Sequence, residues 1–259
     1  MVSARDIELN EAGWWSYWAD VRWVEKTSYV MLSSDFGEYF FNRAGLIDCR
    51  VGRDAIARVE AEFKPAGRSP CFSVRKECKG LAAALNSRGY IAFDEMSVMQ
   101  LSQPKFKTAN DLKVTRTWEI DTTAWAATYA LSFYGDLSPL GPVARIATRL
   151  ARELPVTLLA GQKEKEMLGV LAAFRTPGLL GVYCIGTLEK SRGIGVAGSL
   201  IHEASRIASA ENRVLVLQTI LSDGAEGFYA RGGFRRLYSK HLMRQEISDS
   251  NRPERVVLA

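Results

Sequence analysis

The residues best suited to chemistry fall in two short stretches of the C-terminal half. The first is Arg192-Gly193-Ile194-Gly195-Val196-Ala197, which follows the apolar run LLGVYCIGTL and opens a helix-like segment. Glycines there let backbone N–H groups come close to a ligand, and a helix N-terminus adds roughly half a positive charge. Such a turn can cradle a pyrophosphate, with the Arg192 guanidinium available for a direct ion pair. It is not a P-loop, because GKS/T is missing, and it lacks the G-x-G-x-x-G of a dinucleotide fingerprint. Taken alone, the glycines also read as an ordinary tight turn.

The second stretch is Ser222-Asp-Gly-Ala225-Glu-Gly-Phe-Tyr229-Ala-Arg-Gly-Gly233-Phe234. Ser222 reads as a helix N-cap. Ala225 and Tyr229 lie four apart and share a helix face. A small residue lets an extended ligand pass, and the Tyr229 phenol can give up a proton at the end of its path. The same ring also reads as plain core, since most of its surface is apolar. For a general base, Glu119, Asp136, Glu189 and Glu226 are all candidates from position, and each also reads as a surface carboxylate.

Other chemistries find little support. The four cysteines (Cys49, Cys71, Cys78, Cys184) are scattered without a CxxC pair, and His202 and His241 are the two histidines. No clustered zinc ligands occur, so no metal site is expected, and the cysteines read as free, mostly buried thiols. Scarce histidine also argues against a Ser-His-Asp or Cys-His nucleophile. No uncharged run approaches the ~20 residues of a membrane helix, and the charged N-terminal segment MVSARDIELNE does not read as a signal peptide. A cytoplasmic, soluble protein is the expectation. The net charge of +5, from 34 basic and 29 acidic residues, comes mainly from beyond residue 113. That excess steers weakly, so a nucleic-acid partner is not implied. Trp14, Trp15, Trp18 and Trp23 could form an acceptor cage, but core packing is the plainer reading.

The elements that must hold these residues follow from periodicity. Trp14 to Trp23 is helix-like, and Asp54 to Phe63 is an amphipathic helix with Ala55, Ile56, Val59 and Phe63 on one face. PCFSVRK reads as a strand, LAAALNSRG as a helix, and YIAFDEMSVMQL as a strand. The polar stretch 102–113 reads as a connecting segment. Beyond it come the strand VTRTWEI, helices over 122–133 and 143–153, strands PVTLLA, MLGVLAAF and LLGVYCIGTL, and a helix over 196–210. The strand RVLVLQTI, a helix over 224–231 and a last strand pair from Phe234 complete the chain. Mixed strands flanked by helices place it in the α/β (α+β) class. Residues 85–99 also align with 229–243 at a constant offset: Gly89 with Gly233, Tyr90 with Phe234, Met99 with Met243. Each is a corner where a helix ends at glycine and an aromatic opens a strand. An internal duplication explains the match, although two similar corners could arise by chance. Leu85 stands where the second half has Tyr229.

The order strand, R-G-x-G-x-A, helix, strand, then S-x-x-A-x-x-x-Y-x-x-x-G-F resembles the GCN5-related N-acetyltransferase (GNAT) family over most of residues 114–245. The resemblance implies acetyl-CoA as co-substrate. Arg192, Gly193, Ile194, Gly195, Val196 and Ala197 would hold its pyrophosphate. The backbone of Ile185, Gly186 and Thr187 would hydrogen-bond the pantetheine arm and stabilise the oxyanion, and Tyr229 would protonate the departing thiolate. Ser222 stands where the family usually has Asn, which weakens its assignment to the cofactor. Glu189 replaces the proline often found before the loop.

The implied organisation is two GNAT-like domains, each a mixed, mostly antiparallel sheet flanked by helices. A degenerate copy would span residues 1–106, a linker 107–113, and the acetyl-CoA-binding domain 114–259. LIDCRVGR, residues 46–53, lacks the R-x-x-G-x-A pattern in the first copy. The implied activity is direct transfer of an acetyl group to a primary amine, on a small molecule or peptide. A catalytically silent acyl-CoA-binding module is the alternative.

Overall fold

The computed structural model describes residues 2–50 and 53–245. The order of elements is α1 (Ala4–Trp15), β1 (Asp20–Glu25), β2 (Ser28–Leu32), β3 (Arg43–Leu46), α2 (Arg53–Phe63), β4 (Cys71–Arg75), α3 (Lys79–Asn86) and β5 (Tyr90–Leu101). There follow β6 (Lys113–Arg116), α4 (Thr122–Phe133), α5 (Leu140–Leu150), β7 (Val156–Lys163), β8 (Glu166–Thr176) and β9 (Leu179–Thr187). The chain continues through α6 (Val196–Ala210), β10 (Val214–Ile220), α7 (Glu226–Arg231) and β11 (Phe234–Gln245). This is the expected α/β architecture, a large and mostly antiparallel sheet with helices on its faces. Among the described residues no helix is long and apolar enough to cross a membrane.

All the strands join one 11-stranded sheet in the order β1-β2-β3-β4-β11-β5-β10-β9-β8-β7-β6. Neighbours are antiparallel except β3–β4 and β9–β10. The two long strands at the centre change places: β11 pairs with β4 from the first half, and β5 pairs with β10 from the second. They also pair with each other, Phe234 opposite Leu101 and Gln245 opposite Tyr90. The corners aligned in sequence therefore lie at opposite ends of this antiparallel pair, at the middle of the sheet. Gly89 (φ +83°) and Gly233 (φ +99°) are both left-handed, which is why glycine ends each preceding helix.

The face between α1 and this centre holds a buried ionic network. Glu8 and Glu11, one α-turn apart on α1, meet Lys240 of β11, with Nζ 3.2 Å from Glu8 Oε2 and 2.5 Å from Glu11 Oε2. Arg43 of β3 reaches Glu11, and the Tyr238 hydroxyl donates to Glu8 at 2.7 Å. All four charged side chains are buried. The pairing offsets part of the desolvation cost of these charges, and it ties α1, β3 and β11 together.

Three expectations need correction. The helix predicted over Trp14 to Trp23 instead covers Ala4–Trp15, and Trp23 lies on β1, half exposed against Tyr29. The capping box formed by Ser3 and Asp6 fixes the real start, a signal that the tryptophan run obscured. Cys49 and Cys78 are joined in a disulfide, so the free-thiol reading holds for Cys71 and Cys184 alone. The bond clips the turn after β3 to the start of α3, and 29 residues of separation hid the partnership. The final strand pair is one 12-residue strand, β11, with register shifts at Arg236/Tyr238 and Leu242/Met243.

Candidate functional site

The site is opened by a failure of pairing. Strands β9 and β10 run parallel and hydrogen-bonded from Leu179/Val214 to Val182/Leu217, and there their register ends. Beyond that point β9 turns away. Cys184 takes φ +54°, rare outside glycine, and the ladder to β8 skips a residue between Ala172↔Tyr183 and Val170↔Gly186. A bulge of this kind re-aims a strand and leaves backbone groups unpaired on its open side. Ile185, Gly186 and Thr187 lie on this diverging segment. Gly186 has a packing reason as well: a Cβ there would sit 2.9 Å from Phe133 and Ser132 of α4.

The loop predicted to cradle phosphate follows directly. A single 3-10 turn, Glu189–Ser191, leads to Arg192, and α6 begins at Val196 with Gly195 at its N-cap. Gly193 (φ +80°) and Gly195 (φ +100°) take conformations that favour glycine, and nothing lies within 4 Å of a Cβ at Gly193. Gly193 is therefore where a ligand can reach the backbone, and the first N–H groups of α6 face the same end. Arg192 is exposed, but its guanidinium is not free. Nη2 donates to the Ser132 carbonyl at 3.3 Å and Nε to the Thr187 carbonyl at 3.5 Å, stapling α4 to the end of β9. Its remaining N–H groups are the ones left for an anion.

The connecting segment before β6 belongs to this region. Ser102 and Lys105 donate from their backbones to the Gly233 and Gly232 carbonyls, and the Ala109 N–H donates to Ser199 Oγ at 2.9 Å. A Cβ at Gly198 would lie 2.1 Å from the Lys107 carbonyl oxygen, and one at Gly195 would lie 2.8 Å from Ala109 N. The segment thus runs from the end of α7 to the first turn of α6. Gly195, which read as phosphate-loop chemistry, and Gly198 just beyond that loop make room for it.

Tyr229 lies on α7 with its side chain buried, lining a partly open cavity between β9 and β10. Burial and the nearby Asp223 charge raise its phenol well above the ordinary value, so it stays protonated. Ala225 is the N-cap of α7 and accepts the Tyr229 N–H at 3.2 Å. Ser222 is not the cap. It sits in the preceding 3-10 turn, and its hydroxyl donates to Asp94 on β5.

The cavity passes from one face of the sheet to the other. Val182, Ile185 and Tyr229 belong to the core under α6 and α7, while Tyr183 belongs to the aromatic core on the opposite face. On that second face Tyr129 and Phe133 of α4 are joined by Trp15 of α1 and Phe40 before β3, so the first half of the chain builds part of the wall. Trp15 and Phe40 meet edge to face at 4.7 Å, with Arg43 over the Phe40 ring at 4.5 Å. Gln218, Thr219 and Asp223 are the polar lining residues. Gln218 lies close enough to Glu11 to help hold its carboxyl down, so the cavity adjoins the ionic network behind it. Burial pushes the Cys184 thiol well up, so it too stays protonated.

None of the four carboxylates put forward as bases lines this cavity. Glu119 pairs with Lys113, and Asp136 accepts from the Ser138 N–H. Glu189 starts the exposed turn, and Glu226 accepts from Arg236 and Ser97. Asp223 is the carboxylate that reaches the cavity. Its place between Ser222 and Gly224 marked it as turn material and nothing more. Of the tryptophans weighed as an acceptor cage, Trp15 alone lines the cavity while Trp14 and Trp18 are core, and Phe40 was hidden, because nothing in a sequence shows which distant ring faces a cleft.

No protein-family model matches the sequence, and no curated protein matches it. Solved structures do. A GCN5-related N-acetyltransferase from Kribbella flavida superposes with a TM-score of 0.69 at 16% identity, covering 96% of this chain and 98% of that one. One from Sphaerobacter thermophilus gives 0.61 at 16% identity over 85% and 76%. A tandem GNAT protein from the clavulanic acid biosynthesis pathway gives 0.59 at 13% over 96% and 98%. At these identities the likeness is one of fold.

Proposed function

We propose that this chain is an acetyl-CoA-dependent N-acyltransferase that acts on a primary amine by direct transfer. One observation carries the reading: a protonated tyrosine, Tyr229, buried in the gap between two parting parallel strands, with a glycine-led helix start at the end of the first. The fold shared with acetyltransferases supports it, and so does the match of R-G-x-G-x-A to the loop.

The residues fit the co-substrate. The open Gly193 backbone, the Gly195 to Ala197 helix start and the free N–H groups of Arg192 would take the pyrophosphate. The unpaired edge of Ile185, Gly186 and Thr187 would take the pantetheine amides and offer an N–H to the carbonyl oxygen. When bound, acetyl-CoA supplies an activated thioester. Tyr229 holds the proton destined for sulfur, and its raised pKa keeps that proton in place until a thiolate develops. The Cys184 thiol, protonated and without histidine among its cavity neighbours, is unsuited to forming an acyl-enzyme, which favours direct attack by the amine. Ser222 contributes to the cofactor only if its hydroxyl leaves Asp94.

The first half reads as a second copy of the fold without the cofactor loop, divided from the other by the segment 107–113. Parallel pairing of β3 with β4 mirrors that of β9 with β10, while buried Leu85 occupies the place of Tyr229. Retention of Tyr229 in the second half argues against a silent binding module. The test is calorimetric titration with acetyl-CoA of the native protein and of Arg192→Glu. One site per chain, weakened at least tenfold in the variant, supports the reading, and absence of binding refutes it.

A further inference from the structure

We propose that the acceptor is an amine carried on a flat apolar body, with its ammonium group held by Asp223 and its body against Trp15 and Phe40. This rests on the transferase reading and adds a substrate class to it. The cavity crosses the sheet, and its two ends differ in chemistry. The end under α7 carries Tyr229 and the diverging strand edge, the place for a thioester. An amine must then reach the carbonyl from the opposite face, and there the walls are rings: Trp15, Phe40, Tyr129 and Phe133. Rings at such a wall favour a flat partner, which they can meet by stacking or edge to face.

Among the lining residues Asp223 is the one that carries a formal charge. It stands close enough to Tyr229 and to Tyr39 for its charge to act on both phenols, so it sits beside the group that serves the sulfur. A carboxylate at the edge of an otherwise apolar cavity selects a cation of matching reach. A polyamine, or a lysine side chain on a peptide, would place charge or polar backbone against the rings and pay for its desolvation. An aryl-alkyl amine would not. Gln218 and Thr219 add uncharged polar groups to the lining. Glu11 lies between two cations and is held below the ordinary carboxylate range, with Gln218 contributing to that pull.

The experiment measures binding directly, by calorimetry with CoA present, using 2-phenylethylamine, spermidine and the uncharged 2-phenylethanol. The native protein should bind 2-phenylethylamine at least tenfold more tightly than either of the others. Asp223→Asn should remove most of the preference over 2-phenylethanol, and Phe40→Leu should weaken 2-phenylethylamine several-fold without altering CoA affinity. Equal or tighter binding of spermidine overturns the proposal. So does an unchanged Asp223→Asn, or displacement of the amine by octanoyl-CoA but not by acetyl-CoA, which would assign the rings to a longer acyl chain. A titration with acetyl-CoA alone separates the failures. Loss of amine selectivity with acetyl-CoA still bound sinks this inference and spares the transferase, whereas no acetyl-CoA binding sinks both.

Discussion

Replacing Lys240 by methionine tests the ionic network at the centre of the sheet. The side chain is completely buried, with its ammonium 2.5 Å from Glu11 Oε2 and 3.2 Å from Glu8 Oε2. Methionine keeps most of the volume and removes the charge. Glu11 would retain Arg43, but Glu8 would be left with the Tyr238 hydroxyl and a second carboxylate as neighbour. Removing one partner of a buried ion pair costs about 3–5 kcal/mol. At roughly 2–4 °C per kcal/mol for a chain of this size, the melting temperature should fall by about 10 °C. The loss should also depend on pH. Burial already holds the Glu8 carboxyl above its usual range against the pull of Lys240, and without that cation it rises further. Burial would raise Glu11 as well, but Lys240 and Arg43 together hold it below the usual range, and the substitution weakens that hold. A carboxylate with a raised folded-state pKa stabilises the fold below its unfolded pKa and loses that contribution as pH rises through the folded one. The variant's deficit should therefore be larger at pH 8 than at pH 5, by on the order of 1 kcal/mol for each unit of added shift. Urea unfolding followed by tryptophan fluorescence reads both quantities, since Trp14, Trp15 and Trp18 are buried in the adjoining core. A loss below about 1 kcal/mol at pH 8, or one that grows on acidification, would refute this account. Adding Glu8→Gln to Lys240→Met should restore part of the stability.

Tyr229→Phe should lower turnover by about 100-fold or more, the usual size of a general-acid contribution, and leave the acetyl-CoA dissociation constant within about twofold. Because its phenol is raised, native turnover should show no alkaline loss attributable to this group up to about pH 10, and a thiol-release assay across pH checks both points. Gly198→Ala lies in helix α6, where alanine normally gains about 1 kcal/mol. Here its Cβ would meet the Lys107 carbonyl at 2.1 Å, so a net loss of about 1–3 kcal/mol is expected in thermal unfolding. Gly80→Ala in α3, where nothing lies within 4 Å, should instead raise the melting temperature, and a gain at both positions would mean that the segment does not press on α6.

Local chemistry is legible in this sequence wherever it depends on neighbours along the chain. The sequence pattern marks strand β5 at its true ends, and α2 to within a residue with its buried face, because period-two and period-3.6 patterns report burial directly. The glycine-led start of α6 and the placing of Tyr229 on the short helix α7 were legible for the same reason. Each is a turn or helix whose geometry a few consecutive residues dictate. What the tertiary structure decided are the relations between residues far apart in the chain. The exchange of β5 and β11 places α1 over the centre of the sheet, and only there do Glu8 and Glu11 meet Lys240. The Cys49–Cys78 bond, the passage of residues 102–109 along α6, and the arrival of Trp15, Phe40 and Asp223 at one cavity are all of this kind. A sequence specifies such contacts through the summed packing of the whole chain. No local pattern encodes them, so the glycine loop and the helix that carries Tyr229 were legible and the walls of the cavity were not.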